Sequence, residues 1–205
     1  MLDILVPAFV TLFVVIDPIG LAPLFIALTQ GMTPEHRERV GRRALVVAFL
    51  LLLAFSLVGE RLLTAIGISM PAFRISGGLL LFLTAIDMLF ERRSDRREKR
   101  ANEPMPDPSV FPLAMPLIAG PGALATIVLL ASQNSGNVAA LVGINLVMVA
   151  VLALTYLLFR ISPLVERGLG ATGIVVLTRL FGILLAALSV QFVLDGLREY
   201  GLLPR

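Results

Sequence analysis

Ile16-Asp17-Pro18-Ile19-Gly20 stands in the middle of an otherwise apolar stretch, residues 4–29. At ~1.5 Å per residue, a helix over that stretch is long enough to cross a bilayer. Its centre is nevertheless built against an unbroken helix. Pro18 removes an amide donor and its ring clashes with the carbonyl four residues back. Gly20 weakens the helix further, and the Asp17 carboxyl must find a polar partner in an apolar medium. Irregular backbone at membrane depth is tolerated only where protein or water covers it. The stretch therefore predicts a helix broken at Asp17, with the break inside the molecule.

The same break recurs about a hundred residues later, where Ala119-Gly120-Pro121-Gly122 interrupts the apolar stretch 110–131. Aligning Pro18 with Pro121 sets Ala22 on Ala125, Thr29 on Ser132 and Gln30 on Gln133. The repeat extends further: Arg74-x-x-Gly77-x-Leu79-Leu80-x-x-Leu83 matches Arg179-x-x-Gly182-x-Leu184-Leu185-x-x-Leu188. Six spans follow, at 4–29, 41–59, 71–90, 110–131, 138–159 and 175–196. They fall into two halves, residues 1–90 and 110–205, joined by the charged, Pro-rich stretch 91–109. Three spans is an odd number, so the halves insert in opposite directions. The expected fold is an all-α integral membrane protein of two inverted-topology three-helix repeats, with its first and fourth spans broken.

Composition supports this class. The 205 residues are 58% hydrophobic and only 15% charged, with a mean hydropathy of +0.94, too little polar surface for a soluble domain of this size. The apolar runs are continuous rather than alternating, which argues against a β-barrel. There is no Cys and a single His, His36, which removes thiol chemistry and the usual zinc sites. No metal or cofactor is expected. Met1-Leu2-Asp3 lacks a basic region and no small-x-small site precedes Asp17, so the start does not read as a signal peptide.

Twelve of the seventeen basic residues lie in loops 30–43, 91–109 and 160–174. Six spans put those loops on one side, and the Lys/Arg bias assigns that side to the cytoplasm of the inner membrane, with both termini outside. This topology accounts for the pI near 10, so no nucleic-acid partner is expected.

Asp is a strong helix N-cap and Pro is favoured in the first turn. Asp17-Pro18 and Gly120-Pro121 thus read as starts of two half-helices near the midplane, whose N–H groups attract anions. Asp17 has no counterpart, since Gly120 stands opposite. A site with amide donors from both halves and one carboxyl suits a small zwitterion. The candidate binding residues are Asp17, Pro18, Ile19 and Gly20 in one half and Gly120, Pro121, Gly122 and Ala123 in the other. Thr126 and Asn145 are the sparse polar groups expected to line the site, whereas Thr11 and Gln191 read as interhelical hydrogen bonds. Asp17 is also a candidate for coupling transport to protons. Arg74 with Asp195, and Arg179 with Asp87, are expected to pair across spans three and six as structural or gating ion pairs. Gly77, Gly78 and Gly182 are close-packing positions.

No catalytic motif appears, so no enzymatic activity is expected. The competing classes are a passive membrane protein that organises lipids or partners and an intramembrane acid-base site pairing Asp17 with Asp87. The latter needs two carboxyls that the spans place at different depths.

Val15-Ile16-Asp17-Pro18-Ile19-Gly20-Leu21-Ala22-Pro23-Leu24-Phe25 resembles the first signature of the MarC family of bacterial inner-membrane proteins. Pro112-Leu113-Ala114-Met115-Pro116-Leu117-Ile118-Ala119-Gly120-Pro121-Gly122-Ala123 resembles the second. The Arg74–Gly77 stretch and the six-span pattern agree as well. The family's name refers to multiple antibiotic resistance, and it is distantly similar to LysE-type exporters. Some members are described as transporters of small neutral amino acids. The resemblance thus implies translocation of a small neutral amino acid or similar metabolite, coupled to protons or sodium, in a bilayer. Homo-oligomerisation is left open.

Overall fold

The computed structural model describes residues 1–90 and 107–202, and among them the chain is helical with no strand. The basic cluster Arg92–Arg100, and most of the linker expected at 91–109, lie outside the described residues. The first span consists of α1 (Leu2–Ile16) and α2 (Pro18–Leu28), which meet at Asp17. Next come α3 (Pro34–Ala65) and α4 (Met70–Leu89). Further along the chain, α5 (Ser109–Ile118) and α6 (Pro121–Ser132) form a second interrupted span. The chain continues as α7 (Val138–Arg160) and α8 (Ser162–Glu199). Five spans pass as long, apolar helices, and α5 with α6 makes a sixth, bent by 55°.

Local start signals fix the helix ends. The Thr33 hydroxyl accepts the His36 N–H at 3.3 Å, the Ser69 hydroxyl accepts that of Ala72 at 3.4 Å, and the Asn137 side chain accepts that of Ala140 at 3.0 Å. Pro34 and Pro71 occupy first-turn positions where a missing amide costs nothing. These signals move two boundaries. Most of the loop expected at 30–43 belongs to α3, because Thr33-Pro34-Glu35 supplies a cap, a first-turn proline and a first-turn acid. At 32 residues, α3 is about 48 Å long, well beyond a ~30 Å hydrocarbon core. Its first turns carry Arg37, Arg39, Arg42 and Arg43 past the apolar region. The loop expected at 160–174 is likewise helical, with Pro163 in its first turn, and Gly170 at φ 66° redirects the chain inside α8.

α5 is not the regular half-helix expected for the start of the fourth span. Pro112 and Pro116, four residues apart, remove two amides, and Phe111 and Met115 just before them take extended dihedrals. The hydrogen bonds at its two ends span five residues, Leu113 N–H to the Pro108 carbonyl and Ala119 N–H to that of Ala114, the wide turn of a π-helix.

One end of the bundle gathers the basic residues. There the Arg37 guanidinium donates to the Ser162 hydroxyl at 2.7 Å, Tyr156 donates to Glu38 at 3.0 Å, and Arg43 pairs with Asp107. At the opposite end Arg74 pairs with Glu199. Between the ends, α4 and α8 run antiparallel in close contact. A methyl group at Gly78 would lie 2.8 Å from the Ser189 carbonyl, one at Gly182 3.2 Å from that of Ala85, and one at Gly196 2.7 Å from Ile75 Cγ1. The antiparallel course agrees with inverted repeats, and the missing side chains let the backbones touch. Gly77 faces elsewhere, toward Ala125 and Leu129 of α6.

α2 and α6 are the innermost elements, with Leu21, Ala22 and Phe25 of the first and residues 125–129 of the second all buried. The surrounding helices turn Leu50, Leu57, Leu83, Leu146 and Ile183 outward, an apolar exterior suited to lipid.

Gly78→Ala should lower stability by ~1–3 kcal/mol, because the close-packed interface must part. Leu83→Ala, on the lipid face, should leave thermal unfolding in detergent nearly unchanged. The Asp107 carboxylate is held below its ordinary value of 3.8 by the Ser109 hydroxyl and backbone N–H beside it and by Arg43. A lowered native value stabilises above the unfolded value and loses that effect as pH falls through the native one. Wild type should therefore be more stable than Asp107→Asn at pH 7 by a few tenths of a kcal/mol, as befits an exposed pair. The difference should vanish in unfolding measured below about pH 3.

Candidate functional site

Asp17 is the junction of the first span. Its backbone sits in the left-handed region, φ 54° and ψ 62°, which Asp and Asn tolerate better than other side chains. Its N–H donates to the Phe13 carbonyl at 2.9 Å, closing α1, and its own carbonyl accepts the Leu21 N–H at 3.0 Å, opening α2. Its carboxylate Oδ1 accepts the Gly20 N–H at 3.1 Å. One residue thus ends one helix and caps the next while fully buried. Pro18 fits the first turn, and Gly20 is required by contact: a methyl group there would collide with the Asp17 carboxylate.

The second junction reaches the same end by different means. Gly120 precedes α6 in an extended conformation and offers no side-chain cap. A methyl group at Gly120 would collide with the Pro116 carbonyl. Pro121 takes the first turn, and Leu124 N–H bonds the Gly120 carbonyl at 3.0 Å. Among the described residues, no group accepts a hydrogen bond from the Gly122 or Ala123 N–H. Both residues are buried, and they are the unpaired donors expected at a helix start.

The fold brings the two junctions together. A methyl group at Gly122 would sit 3.4 Å from Val15 Cγ1 and 3.1 Å from Leu81 Cδ2. The first turn of α6 therefore packs on the last turn of α1, two residues from Asp17. Thr126 lies one turn beyond Gly122 on the same face. It is fully buried, and its hydroxyl has no hydrogen-bond partner among the described residues. The buried region around this contact thus holds polar groups from both halves: one carboxyl, two amide donors and one hydroxyl. Such a set can hold an oxyanion at the amides and a cation at the carboxyl.

Asn145 is not brought to the junctions. Gly143 abuts Leu5, where a methyl group would lie 2.7 Å from Cδ2, while Phe159 stacks on Phe25 at 4.3 Å. α7 thus runs parallel to α1 and α2, and Asn145 lies about 15 Å along the axis from Asp17. Its amide nitrogen donates to the Leu141 carbonyl at 2.8 Å.

The expected pair of Arg74 with Asp195 is replaced. Arg74 Nη1 bonds Glu199 Oε1 at 3.0 Å, while Asp195 accepts from Gln191 at 2.8 Å and from Arg198 at 3.5 Å. Gly196 seats α8 directly on Pro71 and Ile75, so the long Arg74 side chain meets the next turn, four residues on. Asp87 and Arg179 stand near the other end of the same helix pair, and both are engaged there.

Over residues 2–200 the chain matches the family described as MarC family integral membrane protein. A UPF0056 membrane protein of Archaeoglobus fulgidus is 40% identical, over 94% of this chain and 91% of its own length. UPF0056 membrane protein YvbG of Bacillus subtilis is 35% identical over 100% of this chain and 98% of its own. A UPF0056 membrane protein of Methanocaldococcus jannaschii is also 35% identical, over 93% and 94%. No solved structure matches the chain. With both signature stretches forming the paired junctions, and with relatives matched almost end to end, this chain belongs to the MarC family of integral membrane proteins.

Proposed function

We propose that the protein is a secondary transporter of small neutral amino acids or similarly small zwitterions, with substrate held between the two helix junctions. The observation that carries this reading is the packing of the uncapped α6 N-terminus, with its Gly122 and Ala123 N–H groups, against the α1 turn that ends in Asp17. The substrate carboxylate would take the α6 amides, where the helix dipole favours negative charge. The ammonium would take the Asp17 carboxyl, which would have to leave the Gly20 N–H at least in part. Asp17 is then the group through which protons or sodium would couple to substrate. By the Lys/Arg bias, the basic end faces the cytoplasm of the inner membrane.

Uptake and counterflow of labelled alanine and glycine in proteoliposomes test this directly. Asn caps a helix as well as Asp and accepts the left-handed backbone, so Asp17→Asn removes the charge and spares the fold. It should abolish saturable exchange while leaving thermal unfolding within about 0.5 kcal/mol of wild type. Asp17→Ala loses the cap as well and should cost a further ~1–2 kcal/mol. Gly20→Ala, which displaces the carboxylate, should impair exchange with the charge still present. Full exchange with unchanged pH dependence in Asp17→Asn would remove Asp17 from the site. A folded wild type inactive on a broad metabolite panel would favour a passive, lipid-organising role.

A further inference from the structure

A cavity of about 270 Å³ opens at the basic end, between α2, α3 and α7. Its floor is the stacked pair Phe25 and Phe159, with rings 4.3 Å apart and within 4° of parallel. Both rings are almost fully buried. Gly41 makes room for them: a methyl group there would lie 3.3 Å from the Phe25 ring. Arg37 and Arg160 line the cavity with Glu38 and Tyr156. The Arg37 guanidinium is already committed, 5.0 Å over the Phe25 ring and hydrogen-bonded to Ser162.

The other two charges are not committed in this way. Glu38 accepts the Tyr156 hydroxyl at 3.0 Å but forms no ion pair among the described residues. Arg160 makes no hydrogen bond or ion pair with any described residue. An acid and a base line one small cavity without neutralising each other. Such a cavity complements a ligand that carries both charges on a short frame. Phe25 follows Asp17 by eight residues, so the floor lies about 12 Å along α2 from the junction.

We infer that this cavity is a recognition vestibule for a small zwitterion, with its oxyanion at Arg160 and its ammonium at Glu38, and with the Phe25–Phe159 stack closing the way to the helix junctions. The shared chemistry, an ammonium and an oxyanion a few bonds apart, belongs both to a free amino acid and to a phosphoethanolamine lipid headgroup. The cavity is small, about 270 Å³, which favours the free amino acid. That choice rests on the transport reading above.

The chain contains no cysteine, so Pro34→Cys places a single thiol at the cavity. Pro34 lines it and is exposed. The rate of modification of that thiol by a small maleimide is followed on the full-length protein in lipid-free detergent. L-alanine and glycine should slow it, roughly tenfold at ten times the dissociation constant. Propionate and ethylamine, with one charge each, should have little effect. Arg160→Gln and Glu38→Gln, each in the Pro34→Cys chain, should abolish protection, and Arg160→Lys should restore part of it; an unchanged thermal unfolding midpoint in detergent establishes that these variants are folded. Equal protection by propionate or ethylamine overturns the inference, as does protection that survives both substitutions. Protection by O-phosphoethanolamine but not by alanine overturns the amino-acid assignment in favour of a lipid headgroup. Exchange in proteoliposomes without protection sinks the vestibule alone. Protection that persists in a chain without exchange keeps the vestibule and sinks the transport reading.

Discussion

The 3.1 Å hydrogen bond from the Gly20 N–H to the Asp17 carboxylate is the contact on which the first half depends. A break in the middle of a bilayer leaves orphan amides and carbonyls with no water to meet them. Here one residue resolves most of that problem. Asp17 closes α1 with its N–H, opens α2 with its carbonyl and caps α2 with its side chain. Pro18 contributes by having no amide to satisfy. The left-handed backbone at Asp17 turns the chain enough to set α2 apart from α1 without ending the span.

The second half solves the same problem by other means, and the difference is chemical. Gly120 cannot cap, so the Gly122 and Ala123 amides stay without acceptors among the described residues. Leaving buried donors unmet costs on the order of 1–3 kcal/mol each. Those amides lie in the first turn of α6, which packs on the last turn of α1 in the other half. The asymmetry of the repeat, an acid in one half and a glycine in the other, makes the two kinks chemically different: one helix start is capped by a side chain and the other is not.

The architecture was largely legible in the sequence because its causes are local. Proline and glycine inside apolar runs mark the breaks, and Arg-x-x-Gly marks the repeat. Misreadings arose where a tertiary contact or a proline pair outweighed the pattern. Pro112 and Pro116 announced irregularity, yet nothing in their spacing specified a π turn rather than a kinked helix. The loop expected at 160–174 is helical on both sides of a kink at Gly170. Arg74 was assigned to Asp195 by helix position, whereas side-chain reach decides for Glu199. Asn145 was grouped with the junctions for its polarity, and only the Gly143–Leu5 contact shows its depth. The Phe25–Phe159 stack lay beyond reach, since two phenylalanines 134 positions apart carry no mark of each other.

The helices differ in how tightly their contacts hold them. α4 and α8 meet through Gly78, Gly182 and Gly196 with their backbones in contact. Parting them would open gaps that no side chain fills and lose the dispersion contacts of both faces. That pair joins one helix from each half and behaves as a frame. The junctions at Asp17 and Gly120 are already non-helical, so a change of dihedral angles there breaks few helical hydrogen bonds. Motion confined to α2 and α6 against the frame would move the polar groups of both junctions together and shift Phe25 on Phe159, linking the buried site to the basic end through α2. An inverted repeat whose outer pair is packed through glycine contacts, and whose inner pair starts at prolines, has its tightest contacts and its helix breaks set by the same two residue types that make the repeat visible in the sequence.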